Sequence, residues 1–134
     1  MAEKHFTLHE AETLIPRLEQ IIRSLIDNRK SALAIGEELS ALQEKLRAGE
    51  NIAASALVNK KTELDFLVEI IQEGLDAIEE LGAQPKDMDI GLVDFPSMLD
   101  GEEVLLCWKY GEKNIRFYHG LFDGFSGRKP IPNM

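Results

Sequence analysis

The feature that most constrains this chain is a series of apolar side chains that recur alternately four and three residues apart. The series extends from Leu14 to Leu46, and its one polar member is Asn28. Such spacing places all the members on one face of an α-helix and is typical of a coiled-coil seam. We therefore predict a long helix packed lengthwise on a partner helix, with Asn28 fixing the register and the oligomeric state. The members are Leu14, Leu18, Ile21, Leu25, Asn28, Ala32, Ile35, Leu39, Leu42 and Leu46.

A second long helix is predicted from about residue 53 to residue 81. It repeats the same spacing and ends before Gly82 and Pro85, residue types that stop helices. The short polar link between the two helices predicts an antiparallel hairpin. A helix of about 30 residues is about 45 Å long, which is longer than a small domain can cover by itself. We therefore expect the exposed seam to meet a second copy of the chain in a homodimer.

The start of the first helix carries two signals. Thr7 and Glu10 have the spacing of a capping box, in which each side chain binds the other residue's amide. Pro16 follows inside the helical pattern, where it removes a backbone hydrogen bond. Either the helix kinks at Pro16, or a short first helix ends and Thr13 caps a second helix with Pro16 in its first turn. We favour the second interpretation.

After Pro85 the helical spacing gives way to the alternation of apolar and polar residues that is typical of strands. Asp100-Gly101 indicates a tight turn, and Pro96 is expected to stop the first strand. The sequence thus predicts one α+β domain over residues 1–134, with a helical hairpin in 1–84 and a three-stranded antiparallel meander and loop in 85–134. Ile15, Ile22, Ile26 and Leu33 add a second apolar flank to the first half of helix one, which is thus doubly apolar, and we expect the apolar face of the meander to pack there. The predicted strands are 90–95, 103–110 and 115–119.

Composition argues against several classes of function. The chain of 134 residues carries a formal charge of −9 at pH 7, and its basic residues adjoin at most in pairs, so nucleic-acid binding is not expected. It has no run of about 18 apolar residues and no basic segment followed by an apolar one at its start, so we expect neither a membrane span nor a secretion signal. The single Cys107 excludes an internal disulfide, and a cytoplasmic location is the simplest expectation.

Single polar residues among the aromatics of the last third mark a candidate binding site. His119 ends a predicted strand before a glycine-rich loop, where it can act as a base, a ligand or a hydrogen-bond partner. The alternative is a packed histidine at the sheet edge. The loop segment 124–128 either binds a small anion through Arg128 or forms a tight turn whose Arg128 pairs with Asp94 or Asp123. The candidate binding residues are His119, Asp94, Arg128, Asp123, Trp108 and Tyr118.

A divalent metal is the one cofactor that the sequence suggests. Histidine together with carboxylate suits zinc, nickel or iron. Cys107 lies in the middle of a predicted strand and is interpreted as a small buried hydrophobe. The possible ligand sets are His119, Asp94 and Asp123 near the end of the chain, and His5, His9 and Glu12 near its start.

The function that these features favour is a non-enzymatic, self-associating module that binds a small anion or a protein partner. Neither a nucleophile elbow nor a cysteine at a helix start is present in the sequence, so no hydrolase arrangement is predicted. The competing hypothesis is a metal- or anion-binding protein, or an enzyme, whose site joins His119, Asp94 and Arg128.

Several segments also carry a family resemblance, which covers essentially the whole chain. They resemble the bacterial family known as domain of unknown function 2203, and the resemblance implies a small cytoplasmic protein without an established activity. In that family an acidic residue usually follows the histidine and another is common at position 9, where this chain has Gly120 and His9. The segments are FTLHEA (6–11), LIP (14–16), KDMDIGLVDFP (86–96), GEEVLLCWKYGE (101–112), IRFYH (115–119) and GFSGRKP (124–130).

Overall fold

The computed structural model describes residues 4–132 and has the predicted α+β architecture, in which helices precede an antiparallel sheet. Among those residues, no helix is long and apolar enough to cross a membrane. The helices are α1 (Leu8–Thr13), α2 (Ile15–Arg47) and α3 (Ala54–Glu80). The strands are β1 (Gln84–Asp87), β2 (Leu92–Leu99), β3 (Glu102–Lys109), β4 (Phe117–His119) and β5 (Lys129–Pro130), and a 3-10 turn spans Phe125–Gly127.

The break at the start of the helical region is confirmed. The Thr7 hydroxyl accepts a hydrogen bond from the Glu10 amide (3.1 Å), and the Thr7 amide donates to Glu10 Oε1 (2.9 Å), which completes the capping box. Helix α1 ends at Thr13 and α2 begins two residues later, with Pro16 in its first turn, where a missing amide leaves no bond unmade. The expectation that Thr13 caps α2 is wrong, because its hydroxyl donates back to the Glu10 carbonyl and Leu14 occupies the cap position.

Helices α2 and α3 pack against each other. They come close together at Gly74, where an added Cβ would lie 2.7 Å from Leu25 Cδ2, so the absence of a side chain permits the contact. Farther along α2, Glu38 Oε2 accepts a 2.5 Å bond from Lys60 Nζ at the start of α3. The structure describes both helices in full. In α2, Ile35 is the one buried residue after Leu25, and in α3 Ile78 is the one buried residue.

One face of the sheet forms the core together with the first half of α2. Alternate residues of β2 and β3 are turned toward the helices, because successive side chains of a strand point to opposite faces. The prediction that the apolar face of the sheet packs on the doubly apolar first half of this helix is confirmed. The central members of this core are Ile15, Leu18, Ile22, Leu25, Ile78, Val93, Phe95, Leu106 and Trp108.

The sheet has five strands in the order β1-β2-β3-β4-β5 rather than the predicted three. Strand β1 and strand β5 are short, polar at their surface and contain proline, so neither has the alternating apolar pattern from which strands are predicted. The third predicted strand is also shorter than expected. Only Phe117–His119 pairs with β3, whereas Ile115 is buried in the helix-facing core and its amide donates to Glu12 Oε2 (3.0 Å).

Strand β2 runs through Pro96, although the sequence predicts that it stops there. The Pro96 carbonyl accepts a 2.7 Å bond from the Phe6 amide, so the backbone polar groups of Pro96 face away from β3. Strand β1 pairs with β2 only as far as Asp94, and the proline therefore occupies an edge position where no strand needs its missing amide. The turn predicted at Asp100-Gly101 is confirmed: both residues have positive φ angles, 51° and 82°, as a two-residue hairpin turn requires.

Candidate functional site

Three polar or reactive side chains meet on the face of the sheet that is turned away from the helices. Asp94 of β2 lies directly opposite Cys107 of β3, and His119 of β4 pairs with the residue two positions before Cys107. All three are buried, with 1%, 0% and 2% of their surfaces exposed, respectively. One ligand atom from each lies within 4.8 Å of the other two. The antiparallel register thus brings together residues that are up to 25 positions apart in the chain.

The hydrogen bonds of His119 determine which ring nitrogen carries the fixed proton. Nδ1 lies 2.8 Å from the Gly120 carbonyl oxygen, and a carbonyl only accepts, so Nδ1 is the donor. Nε2 lies 3.0 Å from Asp94 Oδ2. Because the lone pair of a neutral Nε2 and a carboxylate oxygen would repel each other, one proton is shared between these two atoms. His119 and Asp94 therefore form either an imidazolium with a carboxylate or a neutral imidazole with a carboxylic acid.

The other oxygen of Asp94 has no such partner. Oδ1 is buried and accepts no hydrogen bond from any residue that the structure describes. Burial raises the pKa of Asp94, while the charge of His119, its hydrogen bond and, more weakly, the charge of Lys86 and a hydrogen bond with the Cys107 thiol lower it. A carboxylate with one buried, unpartnered oxygen is costly in free energy, because folding removes its water without replacing it. Oδ1 of Asp94 is therefore a polar atom that a bound ligand or ion could stabilise.

Arg128 reaches the cluster through Cys107. Its Nη1 lies 3.8 Å from Cys107 Sγ, and its Nη2 donates to Glu112 Oε2 at 2.5 Å. The predicted pairing of Arg128 with Asp94 or Asp123 is therefore wrong, because Glu112 takes that role. Burial, together with the charge of Asp94, raises the pKa of Cys107 to about 12, and the nearby Arg128 only partly opposes this.

A cleft of about 260 Å³ leads from solvent to the cluster. Asp94 and His119 form part of its lining, whereas Cys107 does not. The loop after β4 supplies one wall, and its Phe122 is 98% exposed. Asp123 is a predicted metal ligand, but its Oδ2 instead accepts a hydrogen bond from the Gly120 amide (3.0 Å), which stabilises the turn of this loop. The remaining lining residues are Lys86, Leu92, Leu105, Leu121, Phe122, Gly124 and Phe125.

Two other candidates from the sequence lie outside this cluster. Trp108 belongs to the helix-facing core, where its Nε1 donates to the Glu112 carbonyl (2.8 Å). Tyr118 packs against the same core.

The N-terminal ligand set is not assembled. His5 Nε2 faces Glu103 Oε1 at 3.5 Å, His9 is exposed, and Glu12 accepts the Ile115 amide. Among residues 4–132, Asp94, Cys107 and His119 form the one group of three side chains with metal-ligating geometry.

Cys107 is the member of the cluster that the sequence interpretation missed. A signal for it exists in the turn at Asp100-Gly101. A two-residue turn there fixes the register so that the numbers of paired residues add up to 201, which sets Cys107 opposite Asp94.

The comparisons with known proteins identify a family but no activity. The family model described as uncharacterized conserved protein (DUF2203) matches residues 4–131. The chain belongs to this family. The resemblance seen in the sequence is thereby confirmed, while no curated protein and no solved structure matches the chain. For this DUF2203 protein, the function must therefore be argued from the site.

Proposed function

We propose that this DUF2203 protein is a binding module that holds a divalent transition-metal ion, zinc or a close neighbour, between Asp94, Cys107 and His119. The observation that carries the proposal is the convergence of three ligand atoms within 4.8 Å around a buried carboxylate oxygen that has no hydrogen-bond partner among the described residues. A metal ion bound by the carboxylate would satisfy that charge. Metal binding would therefore explain why this buried oxygen has no hydrogen-bond partner among the described residues.

The donor set favours zinc over the hard cations. Thiolate and imidazole are ligands of zinc and other borderline metals, whereas calcium and magnesium prefer sites made of oxygen alone. Three protein ligands also leave one position of a tetrahedral ion for water or an added ligand. The predicted combination of His119 with Asp94 is retained in this proposal, with Cys107 in the place expected for Asp123.

The orientation of His119 supports ligation through Nε2. Histidines that bind metals commonly donate their second ring N–H to a carbonyl or carboxylate, which fixes the tautomer and the ring. Here the Gly120 carbonyl accepts from Nδ1, so the lone pair of neutral His119 is at Nε2, the nitrogen that faces Asp94.

The charges around the cluster also balance. Metal binding displaces the proton shared by His119 and Asp94 and the thiol proton of Cys107, which leaves two anionic ligands for a divalent cation. Arg128 adds no net charge beside these ligands, because Glu112 neutralises its guanidinium group. The assembled centre therefore has no net charge, as a buried site requires.

The thermodynamic cost of forming the thiolate is within reach of a metal. Raising the Cys107 pKa from 9.0 to about 12 corresponds to about 4 kcal/mol. Zinc binds small structural sites with apparent free energies of about 10–16 kcal/mol at pH 7. These free energies apply at pH 7 and already include the loss of ordinary thiol protons, and they exceed the cost of about 4 kcal/mol that the raised pKa of Cys107 adds.

Metal analysis of purified protein tests this proposal. We expect close to one equivalent of zinc, or, after cobalt loading, a thiolate-to-cobalt charge-transfer band. His119→Ala and Cys107→Ser should lose both, while His9→Ala, which alters an exposed histidine, should keep them. Circular dichroism confirms that each variant is folded. Wild-type protein that binds neither zinc nor cobalt would refute the proposal.

Self-association is a second function, favoured by apolar side chains on the part of α2 and α3 that the sheet does not cover. Leu33, Val58, Phe66 and Val68 are exposed by 63%, 60%, 54% and 54%, respectively. We propose that α2 and α3 form an antiparallel, coiled-coil hairpin and that residues 28–47 and 54–70 pack on the same surface of a second copy. The protein would act in this form in the cytoplasm, where a cysteine without a disulfide partner stays reduced.

The dimensions of this surface are those of a specific interface. About 20 residues of helix are about 30 Å long, and two helices side by side are about 20 Å wide. Covering that area on both partners removes about 1,200 Å² from water, which is the lower end of the range for stable complexes. A second copy fits because its own uncovered surface is buried in the same step, as in a two-fold interface.

Light scattering of the eluted protein measures the oligomeric state. The wild type should have twice the chain mass of 15.1 kDa at micromolar concentration. Phe66→Glu should shift it to the monomer, whereas Phe122→Glu, at the cleft, should not. Asn28→Leu should change the oligomer if this half-buried side chain sets the register. A monomeric wild type would refute self-association.

A further inference from the structure

The cleft reaches two of the three proposed metal ligands, Asp94 and His119. Asp94 and His119 line its inner end, while Cys107 lies behind them and is fully buried. A metal held by the three residues would therefore be reached only from the cleft side. The fourth coordination position, which three protein ligands leave free, would open into the cleft.

Five of the nine residues that line the cleft are leucine or phenylalanine, while Lys86, Asp94 and His119 make the rest of its wall polar. Phe122 and Phe125 lie at the mouth and are exposed by 98% and 41%. Aromatic side chains exposed this far around a cleft are typical of surfaces that an apolar ligand covers. The volume of about 260 Å³ lies just below the range of about 300–1,000 Å³ that is usual for small-molecule sites, so the cleft suits a small ligand.

The cleft has one cationic side chain, that of Lys86. Lys86 takes part in none of the ion pairs between residues 4 and 132, in contrast to Arg128, which Glu112 neutralises. Asp94 is the one acidic side chain among the lining residues, and a bound metal would neutralise its charge. Lys86, whose side chain is exposed to solvent, would then be the cation available to an anion in the cleft.

We propose that the ligand of this cleft is a small monocarboxylate with an apolar or aromatic substituent. Its carboxylate would occupy the open position of the metal beside Lys86, and its apolar part would lie against Phe122 and Phe125. Carboxylate oxygens are common zinc ligands, and the single negative charge matches the single unpaired lysine. The inference rests on the metal binding proposed above.

The test uses full-length protein loaded with cobalt, whose visible absorption reports a change of ligand. Benzoate is titrated as the probe, with benzamide as a neutral control of the same shape and inorganic phosphate as an anion without an apolar part. We expect a saturable spectral change with benzoate alone. Lys86→Met should weaken it at least tenfold without loss of cobalt. Lys113→Met, which alters an exposed lysine outside the cleft, should leave it unchanged.

Each result separates this inference from the proposed metal site. Protein that binds no cobalt refutes the metal site itself. Protein that binds cobalt but does not respond to benzoate refutes only the carboxylate ligand. An equal response to benzamide would show that charge has no role, and a response to phosphate in place of benzoate would show a simple anion site. Either of these overturns the inference.

Discussion

The buried pair of Asp94 and His119 gives the sharpest prediction about stability in the absence of metal. The two side chains share one proton at 3.0 Å and are almost completely inaccessible to water. Removing one partner of such a pair costs about 3–5 kcal/mol, mainly because the remaining group is left buried and unpaired. Removing both partners leaves no unpaired group. The two losses should therefore not add.

The double-mutant cycle for this pair consists of Asp94→Ala, His119→Ala and the double variant, each unfolded in urea with EDTA present. We expect each single variant to lose about 3 kcal/mol and the double variant about 4 kcal/mol, a coupling of about 2 kcal/mol. A domain of 134 residues has a total stability of about 7–20 kcal/mol, so the variants should remain folded.

The control for this cycle pairs His119→Ala with His9→Ala, whose exposed side chain has no contact with the cluster. That second cycle should be additive within about 0.5 kcal/mol. If the cycle for Asp94 and His119 is equally additive, the two residues do not share a proton, and the description of the site is wrong.

Three further predictions follow from other parts of the molecule. Because burial raises the pKa of Cys107 to about 12, iodoacetamide at pH 8 should label it only after unfolding; complete labelling of native protein within minutes would contradict this. The hydrogen bond from the Thr7 amide lowers the pKa of Glu10, so its stabilising effect is present above the ordinary pKa of 4.5 and is lost as the pH falls below that value; Glu10→Gln should therefore reduce the acid dependence of the urea midpoint, and an unchanged dependence would argue against the capping box. Gly74→Ala should destabilise by about 1–3 kcal/mol, because its Cβ would lie 2.7 Å from Leu25. Gly36→Ala, whose Cβ would meet nothing within the same chain, should not destabilise the fold at protein concentrations where the chain is monomeric. Similar urea midpoints for the two variants would refute the close packing at Gly74.

The helices and the orientation of the sheet could be predicted because they depend on periodicity. The apolar seam from Leu14 to Leu46 indicates α2, and the doubly apolar first half of that helix indicates where the sheet packs. The two edge strands could not be predicted in this way. Strand β5 has two residues and β1 contains Pro85, so both exist only because a neighbouring strand offers free backbone groups.

The site was predictable in part. Asp94 and His119 stand out as single polar residues among aromatics, and the structure brings them together. Cys107 could have been added from the register that the Asp100-Gly101 turn sets. The partner of Arg128 could not, because its contact with Glu112 depends on how the loop after β4 folds back over the sheet, which no local pattern encodes.

X-ray absorption spectroscopy of zinc-loaded protein can identify the atoms that bind the metal. We predict one sulfur ligand at about 2.3 Å, from Cys107, and nitrogen or oxygen ligands at about 2.0–2.1 Å. In Cys107→Ser the sulfur shell should disappear. A zinc shell without sulfur in the wild type, or protein that retains no zinc, would contradict the assignment of this cluster as a metal site.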